Sequence, residues 1–146
     1  MVYAARQLVS SLYDLSGANQ SPATVRAKGA HLLDRLRFLA TWTIDPATGS
    51  ERPAYFTNNG LWEFMTHFLL IGYGKAARHP AVRDMFMPTL SPVLISLAST
   101  ALYCAIQSLT SAGVATSKAA SHFEECEYGL VYERIFDTWQ RVGGLR

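Results

Sequence analysis

From Met85 to Ser117 the chain carries no Asp, Glu, Lys or Arg. A run of 33 residues without a formal charge has two physical outlets: a membrane span, or a helix buried inside a helical domain. Ser91-Pro92 reads as a helix start, a capping side chain followed by proline in the first turn. On a helical wheel, Ser96, Ser99, Thr100, Tyr103 and Gln107 fall within one narrow arc. Val93, Leu94, Ile95, Leu97, Ala98, Ala101, Leu102, Cys104, Ala105, Ile106 and Leu109 occupy nearly all the rest. A spanning helix wants about 20 predominantly apolar residues, often with basic flanks. Here 17 residues carry six polar side chains, with only Ser108 outside the arc, and the nearest charges, Asp84 and Lys118, lie far outside. The segment therefore reads as a core helix, with no membrane partner. Its small residues let neighbouring helices approach closely, and its hydroxyls can bond back to carbonyls one turn earlier.

The remaining elements also carry helical spacing, and no segment alternates convincingly with period two. A first helix is predicted over Val2 to Leu15, with Ala5, Leu8, Val9, Leu12 and Leu15 on one face and Gly17 after it. A second starts at Ser21-Pro22 and continues to Ala40, with Val25, Gly29, Leu32, Leu33, Leu36, Leu39 and Ala40 inward. The stretch "IDPATGSERP" is the clearest loop, because Asp-Pro and Thr-Gly-Ser are turn chemistry. A third helix follows Asn59, with Leu61, Trp62, Met65, Phe68, Leu69 and Gly72 inward. A short helix from His79-Pro80 to Met87 precedes Pro88, and a last helix covers Glu127 to Val142. Its stripe is Tyr128, Val131, Tyr132, Ile135, Phe136, Trp139 and Val142, with Glu133, Asp137, Gln140 and Arg141 facing away. The fold class is all-α: a compact bundle of five main helices and one short helix around a central apolar helix, Pro92 to Ala112. The 146 residues form one domain, whether whole or cut from a longer chain.

Composition narrows the partners. The chain is 49% hydrophobic and 16% charged, with a net charge of +2. That balance gives no strong electrostatic pull toward nucleic acid or an anionic bilayer. Two cysteines, Cys104 and Cys126, make no disulfide framework and point to a reducing, intracellular setting. The first residues lack a basic n-region, and Arg6 and Asp14 interrupt any apolar core of a signal peptide.

The second half has a familiar order. "HPAVRDMFMP", "LSPVLISLASTALYCAIQSL" and "HFEECEYGLVYERIFDTW" follow one another, after "RPAYFTNNGLWEFMTHFLL". This order resembles an uncharacterised helical domain family of mushroom-forming fungi. The family's central Ala-rich helix corresponds to Thr100–Ile106, and its glycine, phenylalanine and tyrosine to Gly113, Phe123 and Tyr132. The resemblance spans Leu32 to Trp139 and implies a helical fold. It implies no activity and carries over no functional residue.

Chemistry-bearing residues form three constellations. Glu63 and His67 are four apart on a predicted helix, as are His122 and Cys126, with Glu125 beside them. These are the best metal or acid–base candidates, but HExxH, Cys-x-x-Cys and Gly-x-Ser-x-Gly motifs are all missing. No cofactor is implied, and an enzyme is the less favoured class. "RAKGAHLLDRLR" concentrates Arg26, Lys28, Arg35 and Arg37 astride an apolar stripe, where their stems can cover the core edge or bind nucleic acid. Aromatic residues crowd the segment from Tyr55 to Tyr73. Of these, Tyr55, Phe56, Phe64 and Tyr73 are candidates for an exposed surface that binds a protein partner or a second copy. The function favoured by the sequence is a non-catalytic interaction or self-association module. Nucleic-acid binding through Arg26 to Arg37 and a small-molecule or metal-dependent enzyme are the alternatives.

Overall fold

The computed structural model describes residues 1–16, 19–68, 91–112 and 125–143. Among them run α1 (Val2–Leu12), α2 (Pro22–Leu33), a 3-10 segment (Asp34–Leu39), β1 (Ala40–Ile44) and β2 (Glu51–Tyr55). Then come α3 (Asn59–Thr66), α4 (Pro92–Ala112) and α5 (Glu125–Gly143). The strands pair antiparallel, with Ala40 opposite Tyr55 and Ile44 opposite Glu51. The domain is mostly helical, but this hairpin corrects the expectation of a purely all-α bundle. The short helix expected between His79 and Met87 lies outside the described residues.

The charge-free run does supply the core. α4 packs against α1, α2, α3 and α5, and its Ile95, Ala98, Ala101, Leu102, Cys104, Ala105 and Ile106 are buried. By length and composition alone α4 could cross a bilayer, yet 61% of its most apolar window is buried inside the protein. The polar arc also turns inward: Ser96, Ser99 and Thr100 are completely buried. Thr100 Oγ1 donates to the Ser96 carbonyl at 2.7 Å, and Thr110 Oγ1 to the Ile106 carbonyl at 2.7 Å. A hydroxyl bonded one turn back can enter an apolar interface at small cost. The Ser96 and Ser99 hydroxyls find no such partner among the described residues. What faces solvent instead is apolar, Val93 at 48% and Leu97 at 39% exposure.

α2 begins as its sequence dictates, with Ser21 Oγ accepting from the Thr24 N–H at 3.2 Å and Pro22 in the first turn. It ends at Leu33, seven residues before the expected end, without a glycine or proline to stop it. Arg35 and Leu36 both adopt left-handed backbone, with φ of 49° and 55°. Such conformations cost about 1–2 kcal/mol each outside glycine. Burial of Leu36, Phe38 and Leu39 offsets that cost and turns the chain into β1. The helical pattern had the burial of Leu36, Leu39 and Ala40 right, but a kink and a strand produce it.

The hairpin is held to the kink by charge and an aromatic plate. The Arg35 and Arg37 guanidinium carbons lie 4.8 and 4.1 Å from the Trp42 ring centroid, and both arginines donate to Glu51 Oε2, at 3.1 and 2.6 Å. The Arg37 hydrogen bond, with the nearby arginine charges, keeps the Glu51 carboxyl below the usual glutamate range. Arg37 is the covered member, at 12% side-chain exposure against 55% for Arg35. Arg37→Ala is therefore expected to destabilise the domain by about 1–2 kcal/mol, and Arg35→Ala by less than about 1 kcal/mol. Urea denaturation of the two variants checks that order; equal losses would contradict it.

Tyr13 ties the end of α1 to this kink. Its hydroxyl donates to the Phe38 carbonyl at 3.1 Å, and the two rings meet edge to face at 6.3 Å. Gly60 of α3 lies against the same ring, where a Cβ would overlap it. Burial, reinforced by the Glu63 carboxylate, pushes the phenol well above the usual tyrosine range. The unfolded phenol loses its proton near its ordinary pKa of about 10, whereas the folded one keeps it. The contribution of Tyr13 is thus complete below pH 10 and lost as pH rises above it. Tyr13→Phe is expected to be about 1 kcal/mol less stable than the native chain at pH 8, through the lost hydrogen bond. By pH 11 that gap should close, a trend that denaturation midpoints across pH 8–11 would show.

Candidate functional site

The three constellations are dispersed. Glu63 is exposed on α3 and His67 is half-buried just after it, its N–H bonded back to the Glu63 carbonyl. His122 and the Cys126 side chain lie outside the described residues, among which no group of three or more metal-binding side chains occurs. Of the basic set, Arg26 is exposed on α2, while Lys28 Nζ lies 2.9 Å from Asp14 Oδ2. Arg35 and Arg37 lie past the end of α2, on Glu51 and Trp42, so the four cations do not share one helix face.

The aromatic surface is corrected in two places. Phe64 is completely buried and stacks on Phe68, with ring centroids 6.1 Å apart. Phe56 is buried too, its ring 4.8 Å from that of Trp139, with its carbonyl accepting from Trp62 Nε1 at 2.9 Å. Both fill the layer under the hairpin and α3, a role that a helix apolar all round leaves open. Tyr73 lies outside the described residues. Tyr55 alone of the four has a place in a cleft.

That cleft holds about 240 Å³ and is lined by Leu36, Tyr55, Arg134, Thr138, Arg141 and Val142. Three elements build it: the kink sets Leu36 at its base, β2 supplies Tyr55, and α5 supplies one wall. Arg134, Thr138 and Arg141 recur at spacings of four and three, so they share a helix face. Two of the polar groups are already engaged. The Tyr55 hydroxyl donates to the Arg35 carbonyl at 3.2 Å, and Thr138 Oγ1 to the Arg134 carbonyl at 2.8 Å. Arg141 Nε donates to the Asp137 carbonyl at 3.4 Å, and the rest of its guanidinium makes no hydrogen bond or ion pair among the described residues. The exposed Arg134 side chain makes no hydrogen bond or ion pair among the described residues. The cleft thus joins aliphatic walls, one aromatic ring and two cationic donors. Sequence reasoning missed all of its lining but Tyr55, although the Arg134–Thr138–Arg141 spacing was its visible signal.

A model for a domain of unknown function (DUF6532) matches residues 1–142, and the chain belongs to that family. The match includes the N-terminal helix, beyond the span of the resemblance seen in the sequence. No curated protein and no solved structure matches the chain.

Proposed function

We propose that this member of the DUF6532 family is a non-catalytic protein-interaction module that holds a segment of its partner between the hairpin and α5. The observation that carries this reading is the lining of the cleft. Half-buried Tyr55 and Val142 offer an apolar bed over the buried Leu36, and the engaged hydroxyls of Tyr55 and Thr138 leave no nucleophile or general base among the described lining side chains. A bed of this size suits one or two side chains of a peptide segment. The hairpin that forms its far wall is exposed beyond Tyr55, with Ile44 at 70% exposure near the turn, so a longer segment has room to extend along it.

Selection of a random peptide library on the purified chain tests the reading. Enriched peptides are expected to shift the amide resonances of Tyr55, Thr138 and Val142, and to lose at least tenfold in affinity for a folded Val142→Trp variant. Absence of enriched peptides, or binders that leave those resonances unmoved, would overturn it.

A further inference from the structure

We infer that β1 is a self-pairing edge: two copies of the chain join their hairpins antiparallel, about a twofold axis at Thr43, into one four-stranded sheet. No β1 residue lines the cleft, so this pairing stands or falls apart from the cleft reading.

Residues of an antiparallel strand turn their backbone groups alternately toward and away from the neighbouring strand. The Asp45 N–H points at the Ser50 carbonyl, so Thr43 and Thr41, opposite Arg52 and Ala54, also face β2. Trp42 and Ile44, opposite Pro53 and Glu51, therefore point their N–H and C=O groups outward. Among the described residues nothing accepts from those two N–H groups. The two edges of the hairpin are not equivalent. On β2 the outward position opposite Trp42 is Pro53, whose missing N–H breaks any further ladder, and charged Glu51 and Arg52 precede it. β1 carries neither charge nor proline over Ala40–Ile44, and its Thr41, Thr43 and Ile44 are exposed. An edge left unblunted in this way is a template for another strand.

The limits of the edge select its occupant. The Ala40 N–H is bonded to the Arg37 carbonyl and Pro46 has none, so Trp42 and Ile44 supply the open donors. A second β1, run antiparallel, has the same two donors at matching positions. With Trp42 opposite the partner's Ile44, and Ile44 opposite the partner's Trp42, four backbone hydrogen bonds form and no open donor is left over. The neighbouring registers do worse. Trp42 opposite the partner's Trp42 sets Ile44 against the partner's Ala40, whose N–H is taken. It also brings Arg35 and Arg37, stacked on that indole, up against the partner's Arg35 and Arg37. Ile44 opposite the partner's Ile44 sets Trp42 against the partner's Pro46, which has no donor. The favoured register pairs an aromatic with a β-branched side chain twice and Thr43 with the partner's Thr43, and it sets Thr41 against the partner's Asp45. Such cross-strand pairs are stabilising, and no like charges stand opposite one another.

Sedimentation equilibrium on the full chain, from about 5 to 500 μM, is expected to show a monomer–dimer equilibrium with a dissociation constant of about 20–200 μM, as suits so small an interface. Ile44→Pro repeats on β1 the device that Pro53 supplies on β2, removing an outward donor and no bond to β2. It should weaken the dimer by about tenfold or more, with the far-UV circular dichroism unchanged. Ile44→Lys, which keeps the backbone donor, should weaken it too, by setting a charge near the partner's Arg35 and Arg37. Leu130→Ser, exposed on α5 away from the hairpin, should leave it unchanged. A mixed sample of labelled and unlabelled chains should show intermolecular contacts between the Trp42 ring and the Ile44 methyl groups. A chain that stays monomeric throughout, a dimer that survives both Ile44 changes, or a dimer without those contacts would overturn the pairing. Growth beyond the dimer would do so as well, because pairing uses up the β1 edge of both copies. A monomeric chain whose Trp42 and Ile44 amides shift with a library peptide would show that the edge takes a strand of another protein, which equally overturns the second copy as its occupant.

Discussion

A Phe64→Ala variant is expected to unfold about 3–5 kcal/mol more easily than the native chain, the largest single loss among the substitutions considered. Phe64 has no exposed surface, packs in one cluster with Leu61, Met65 and Ile135, and stacks on Phe68. Truncation removes the transfer energy of the ring and leaves a cavity that α3 can close only in part, since its helix is held at both ends. Asn58 accepts from the Gly60 N–H at 2.8 Å at one end, and the His67 N–H bonds back into α3 at the other. Domains of this size hold about 5–15 kcal/mol in all, so the loss should appear as a midpoint lower by roughly 10–15 °C. Urea and thermal unfolding of the variant measure it. A loss within about 0.5 kcal/mol is what a surface residue gives, and would return Phe64 to the exposed patch that the sequence suggested. Tyr55→Ala, on the half-buried cleft wall, should cost less than half as much.

The contrast between these two residues shows what the sequence could and could not say. Hydrophobic period reports much of the burial where one helix runs unbroken, although in α4 the polar Ser96, Ser99 and Thr100 turn inward while Val93 and Leu97 face out. The α4 start at Pro92, the Ser21 cap and the inward Val25, Gly29 and Ile135 were all legible for that reason. Period does not report what covers a residue. Leu36, Leu39 and Ala40 satisfy a helical pattern and are buried, but two left-handed residues and a strand put them there. No local signal marks that break, because Arg35 and Leu36 are held left-handed by tertiary contacts rather than by glycine. Once the hairpin was missed, nothing in the sequence placed a surface over α5. Arg141 then reads as part of the solvated face, Arg134 and Thr138 carry no assignment, and the cleft between them and Tyr55 has no second wall. Of the expected "IDPATGSERP" loop only Asp45 to Ser50 is a turn, closed by the Asp45 N–H on the Ser50 carbonyl at 2.9 Å, whereas Ile44 and Glu51 to Pro53 belong to the two strands. Each has only five residues, and burial along β2 does not alternate, because most of it faces solvent.

Gly29→Ala is expected to destabilise the domain by about 2–3 kcal/mol, a sign opposite to that of helix propensity. At an exposed helical site the same change stabilises by roughly 0.5–1 kcal/mol, because alanine loses less backbone entropy than glycine. Gly29 sits where α2 crosses α4, and a Cβ there would overlap the Thr110 hydroxyl and lie 3.1 Å from Thr110 Cβ. The hydroxyl cannot simply swing away: its hydrogen bond to the Ile106 carbonyl fixes the rotamer, and Thr110 Cγ2 is the next atom in line, at 3.5 Å. Either the bond breaks or the helices part, and the second option strips contacts from the most heavily packed helix pair in the domain. Thr110→Ala alone should cost under 1 kcal/mol, since the bond it removes is local and leaves the Ile106 carbonyl its helical partner. The double variant Gly29→Ala/Thr110→Ala should then recover at least 1 kcal/mol of the loss, a coupling that a double-mutant cycle in urea measures directly. Additive losses would mean that α2 and α4 approach elsewhere than at Gly29. Recovery would make the missing side chain at Gly29 the feature that lets α2 lie close on the charge-free helix, and that carries the chain into the kink at the base of the cleft.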